Sequence, residues 1–153
     1  MNEKANSGGG SDPFQLSRFV EAQEKIYTRA LAELENGRKR SHWMWFVFPQ
    51  IEGLGFSSTT QYFSIKSLEE ARRYLDHPLL GKRLIECAET ILALEGQTAS
   101  SIFGYPDDLK LKSSMTLFAA AAEPHSVFSR VLGKYYQGNR DERTVAILER
   151  LKR

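Results

Sequence analysis

The chain reads as an all-α protein, a compact irregular or orthogonal helical bundle with at most a short hairpin. Three observations predict this class. Apolar residues recur at spacings of three and four through most of the sequence. Serine, aspartate or proline stands where these stripes begin, and glycine often stands where they end. Only residues 43–48 and 59–65 have the composition of a strand.

The elements follow in order. The first ten residues, polar and glycine-rich, read as a disordered tail or expression remnant, leaving one domain over residues 11–153. Ser11 or Asp12 is placed to cap a helix with Pro13 in its first turn. Leu16, Phe19, Val20, Gln23, Ile26, Tyr27, Ala30, Leu31 and Leu34 then form one stripe, stopped at Gly37. Ser67 and Glu70 have capping-box spacing before a helix with Leu68, Ala71 and Leu75 inward. Asp76-His77-Pro78 breaks that helix and opens another, from Leu80 to Gly96. Asp107 and Asp108 open a long helix with Leu111, Met115, Phe118, Ala119 and Ala122 on one face. Two more are expected, one from His125 to about Tyr136 and one from Asp141 onward.

Composition narrows the function classes. With 41% hydrophobic and 26% charged residues, the chain has the make-up of a soluble globular domain. A net charge of +2 argues against a general polyanion binder, so nucleic acid is not the expected partner. No signal peptide and no apolar run of roughly 20 residues is present, which makes a cytoplasmic location and no membrane partner the default. The single Cys87 sits in a helical pattern among apolar residues and reads as core. The three histidines lack metal-ligand spacing, so no metal is expected. Phosphate-binding glycine loops and nucleophile elbows are missing too, and no cofactor is implied.

The segment Gly37-Arg38-Lys39-Arg40-Ser41-His42-Trp43-Met44-Trp45-Phe46-Val47-Phe48-Pro49-Gln50 is the most informative. A core strand has no need of three cations and a histidine beside two tryptophans. A site for a flat anionic ligand needs both planar faces and cations. Trp43 and Phe46 are expected to be buried, with Trp45 or His42 bordering a cavity. His42 has the pKa range of a general acid or phosphate donor, or else simply packs against the aromatics. Residues 106–116 are the second unusual segment. Asp108 and Lys112 are an i,i+4 pair, but Ser113, Ser114 and Thr116 gain nothing locally in a helix interior. They either let helices approach closely or form a polar wall, with Lys110 on the same side.

The basic-aromatic run, together with Leu54-Gly55, Tyr62, residues 67–71, His77-Pro78-Leu79-Leu80-Gly81, Ile102-Phe103-Gly104, residues 107–111 and 113–118, resembles the family catalogued as domain of unknown function 1810. The likeness runs from Asp12 to Leu148 and implies a compact bacterial-type α-helical domain. A weaker likeness extends to the NADAR proteins, which are linked to NAD and ADP-ribose and some of which cleave N-glycosidic bonds. It rests on the aromatic run, Tyr62-Phe63 with Lys66, and Asp108 to Met115. Where the NADAR acid would align, this chain has Thr60 or Gln61. A hydrolytic carboxylate would then be missing or come from Glu52, Glu69 or Asp108.

Together these readings lead to a small-ligand domain for a nucleotide or ADP-ribose moiety, with N-glycoside hydrolysis as a possible activity. Arg38, Lys39 and Arg40 would meet phosphate, Trp43 and Trp45 a base, and Gln50 a ring edge. The candidate ligand-binding residues are Arg40, His42, Trp45, Gln50, Lys66, Asp108, Lys110 and Ser114, and the catalytic candidates are His42, Asp108 and Glu69. The alternative is a non-catalytic protein-interaction module whose aromatic run is core and whose basic run meets a partner. Oligomeric state is open.

Overall fold

The computed structural model describes residues 11–152, so the expected tail at 1–10 lies outside the described residues. Helix makes up 63% of the described residues, as the periodicity requires. In order these are α1 (Ser17–Gln23), α2 (Tyr27–Glu35), α3 (Met44–Val47), α4 (Ser58–Phe63), α5 (Leu68–Asp76), α6 (Leu80–Ala93), α7 (Ala99–Phe103), α8 (Asp107–Ala121), α9 (Val127–Tyr136) and α10 (Glu142–Leu151). Among the described residues the only strand-like feature is a parallel bridge between Ile51 and Ile65.

α8 is the centre of the molecule and packs against α5, α7, α9 and α10. Eight of its residues are buried, on all sides rather than on one stripe, as expected of a helix enclosed by others. Ser113 and Thr116 survive there because each hydroxyl donates to a carbonyl four residues back, Leu109 at 3.2 Å and Lys112 at 2.8 Å. Thr116 Oγ1 also accepts from the Asp141 amide, which ties the start of α10 to α8. Phe118 of α8 is fully buried between Tyr74 and Phe128, and Trp43 and Phe48 are fully buried against each other.

Several sequence expectations change. The stripe from Leu16 to Leu34 is two helices, not one. Gln23 is buried and turns inward, donating to the Phe46 carbonyl at 2.7 Å and the Tyr74 hydroxyl at 3.1 Å. The first helix starts later than its signals: Pro13 stands in a preceding turn and α1 begins at Ser17 with Leu16 as its N-cap, although the Asp12 carboxylate reaches forward to accept from the Leu16 and Ser17 amides. The capping box at Ser67 is half formed. Ser67 accepts from the Glu70 amide at 3.0 Å, but Glu70 accepts from the Lys66 amide and pairs with buried Arg18 at 2.8 Å. Both strand candidates are helical. Pro49 limits the run 43–48 to a single turn, which sends Trp43, Met44, Val47 and Phe48 inward and leaves Trp45 and Phe46 half-exposed. Ser57 caps α4 by accepting from the Thr60 amide. Ser126, rather than His125, caps α9. α7 is too short to show periodicity, and a Thr98–Ser101 capping box starts it.

Candidate functional site

The basic-aromatic run is shaped by Glu33 of α2. Its Oε1 accepts from the Arg40 amide at 2.8 Å, the Ser41 amide at 3.1 Å and Trp43 Nε1 at 2.8 Å, while Oε2 accepts from the Ser41 hydroxyl at 2.6 Å. Burial pushes the Glu33 carboxyl up, but the hydrogen bonds from Ser41, Arg40 and Trp43 outweigh it and hold the pKa below the ordinary value. Trp43 is therefore core, fastened at its one polar atom.

Beyond this anchor the run meets the start of α8. Lys39 Nζ lies 2.9 Å from Asp107 Oδ2 and 5.1 Å over the Trp43 ring. Lys110 Nζ lies 3.6 Å from Asp107 Oδ1 and 5.7 Å over the Trp45 ring. One carboxylate thus bridges two lysines, each placed over one tryptophan. The acid in this array is Asp107, not the expected Asp108, whose Oδ1 turns back to accept from the Leu109 amide. Lys112 is not paired with Asp108 in any ion pair among the described residues and stands over Tyr136 instead, 5.9 Å from its ring centroid. The signal for Asp107 was present in the sequence: it is three residues before Lys110, as good a helical spacing as four.

Two clefts flank the array. The first, with room for about 10 Å³, is lined by Trp45, Gln50, Ile51, Leu54, Thr60, Phe63 and Ser64. That is about one water. The Ile51–Ile65 bridge sets its walls, with the Ile65 amide donating to Gln50 and the Glu52 amide to Ile65, each at 2.8 Å. Arg18 braces the far wall, donating to the carbonyls of Tyr62 at 2.7 Å and Ser64 at 2.9 Å. The second cleft is an open groove of about 460 Å³ between Arg38 and Lys39 on one side and residues 100–104 on the other. A third, of about 230 Å³, lies at the N-terminal turn beside Arg73, Asp76 and His77.

The structure brings Trp45, Gln50 and Lys110 together. Of the candidates only Trp45 and Gln50 line the first cleft, and Lys110 joins them through its contact with the Trp45 ring. His42, Lys66 and Glu69 are exposed, as is Arg40. None of the three clefts is lined by His42, Lys66 or Asp108. Ser114 is fully buried, and its hydroxyl has no hydrogen-bond partner among the described residues. Sequence reasoning missed Thr60 and Ser64 as wall residues, because small hydroxyl side chains carry no signal of their own, and missed Ser100 and Ser101 together with α7. No group of three or more His, Cys, Asp or Glu suited to a metal occurs among the described residues. No helix there is long and apolar enough to cross a membrane.

A sequence profile described as "Protein of unknown function (DUF1810)" matches residues 13–148. Among solved structures, the crystal structure of the conserved hypothetical protein Rv1873 from Mycobacterium tuberculosis is similar, with 54% sequence identity and a TM-score of 0.89. That similarity covers 90% of this chain and 99% of the other. No curated protein matches the chain.

Proposed function

Because the chain belongs to the DUF1810 family, whose description carries no activity, we propose from the site alone that it is a small-ligand domain binding a nucleotide or ADP-ribose moiety beside Trp45. The observation that carries this reading is the contact of Lys110 with Trp45, a residue that lines one cleft together with Gln50, Thr60 and Ser64. An aromatic face gives a base a stacking surface worth on the order of 1–3 kcal/mol. The Lys39–Asp107–Lys110 array holds two cations and one carboxylate, and the surplus positive charge favours a phosphate. Gln50 has both a donor and an acceptor for a ring edge.

The reading is binding rather than hydrolysis. Cleaving an N-glycosidic bond passes through an oxocarbenium-like state that needs a carboxylate beside the sugar. The cleft lining contains none, and Thr60 occupies its wall. His42, Asp108 and Glu69 all stand outside that lining. Because the cleft holds about one water, a base can stack on the Trp45 face only if a cleft wall gives way.

Calorimetry with ADP-ribose, AMP and NAD tests this. Binding weakened at least tenfold, about 1.4 kcal/mol, in both Trp45→Ala and Lys110→Ala is the expected result. A folded protein that binds none of the three at millimolar concentration refutes it. The interaction-module reading would then stand in its place, supported by Phe56 and Tyr105, which are 78% and 81% exposed.

A further inference from the structure

The groove on the other side of Lys39 is not used by that reading. We infer that it is a second site, taking a small organic phosphomonoester with Arg38 as its main anion-binding group. Its volume, about 460 Å³, lies in the range of small-molecule sites and far exceeds the needs of a bare phosphate ion. Its lining carries two cations and no carboxylate. Arg38 is exposed, and it makes no ion pair among the described residues. Its planar fork suits two phosphate oxygens at once. Lys39 has a different task. Its side chain is 8% exposed and its ammonium is held by Asp107, so it contributes wall and field rather than direct contact.

The opposite wall is rigidly placed. The Lys39 amide donates to the Ile102 carbonyl at 2.7 Å, which fixes the separation of the two sides. The Ser101 hydroxyl is committed to Gln97 and to the Thr98 carbonyl and holds the start of α7. Ser100 is exposed, and its hydroxyl makes no hydrogen bond among the described residues, which leaves it to meet a phosphate or sugar oxygen. At Gly104 a Cβ would meet nothing within 4 Å, so bare backbone faces open space at that end.

The inference does not depend on the Trp45 cleft, and its test keeps the two apart. The full chain is titrated with ribose 5-phosphate, ribose and inorganic phosphate, by calorimetry and ³¹P line broadening. Ribose 5-phosphate should bind, inorganic phosphate more weakly, and ribose not detectably. Arg38→Glu and Ser100→Asp should each weaken ribose 5-phosphate at least tenfold with an unchanged circular dichroism spectrum. Arg150→Glu, the same charge change at an exposed residue outside the groove lining, should alter it by less than about twofold, since exposed charges are screened by salt. Trp45→Phe should leave it unchanged. Absence of binding to the folded chain overturns the inference, as does equal weakening by Arg150→Glu or full affinity in Arg38→Glu. Inorganic phosphate binding as tightly as ribose 5-phosphate also overturns it, since the organic part would then contribute nothing.

Discussion

Glu33 offers the sharpest test of how this structure holds its basic-aromatic run. Replacing it with alanine removes one acceptor from four donors. The cost is uneven. Arg40 is exposed, and its amide regains water cheaply. Trp43 is wholly buried, so its indole nitrogen is left without a partner unless the ring moves. An orphaned buried donor costs about 1–3 kcal/mol, and the two bonds from Ser41 together add about 1–2 kcal/mol after resolvation. Glu33→Ala should therefore lose about 3–4 kcal/mol. At roughly 2–4 °C per kcal/mol for a domain of this size, Tm should fall by about 10 °C. Glu33→Gln keeps an acceptor oxygen, and the Ser41 hydroxyl can rotate to accept from the new amide, so the loss should be about 1 kcal/mol. The two variants also separate in pH. The Glu33 pKa is lowered from 4.5 on folding, so its contribution is complete above that value and is lost as pH falls through the folded pKa. The gap between wild type and Glu33→Gln should close as the pH falls below about 4.5. Chemical denaturation followed by tryptophan fluorescence measures the free energies, and thermal unfolding measures Tm. Glu33→Ala melting within about 2 °C of wild type would refute the anchoring argument.

Two further outcomes follow from the junction of α5 and α6. A Cβ on Gly81 would stand 2.0 Å from the Leu75 carbonyl oxygen, so Gly81→Ala should destabilise by more than about 4 kcal/mol or prevent folding; a soluble variant with wild-type Tm would contradict the close crossing. His77 Nδ1 accepts from the Leu79 and Leu80 amides at 3.1 and 3.2 Å and so caps α6 in its neutral form. Burial lowers its pKa from 6.5, against a smaller upward pull from Asp12, so wild type should lose stability relative to His77→Asn as pH falls below about 6.5. Parallel stability curves for the two proteins from pH 7.5 to 5 would show that the cap is not titrating.

The helix class and most helices were legible in the sequence because spacing and caps are local. α5, α6, α8 and α10 begin within a residue or two of their signals: Ser67 and Asp141 accept from amides of the first turn, Pro78 fixes its own φ, and Asp107 places a negative charge at the helix N-terminus. Local composition also marked residues 37–50 as unusual and drew Trp45, Gln50 and Lys110 into one hypothesis. It did not sort the uniformly apolar run 43–48, because apolarity without alternation fits a strand or a buried turn equally well. The tertiary structure decided that by setting Glu33 against Trp43 and by pairing Gln50 with Ile65 across the bridge. It also decided which of two adjacent aspartates meets the lysines. Sequence spacing allows Asp107 and Asp108 alike, and only the rotation of α8 against the basic run turns Asp107 toward Lys39. The break at Gln23 and the groove beside α7 have the same origin. Each depends on partners 20 to 70 residues away, whose positions no local pattern encodes.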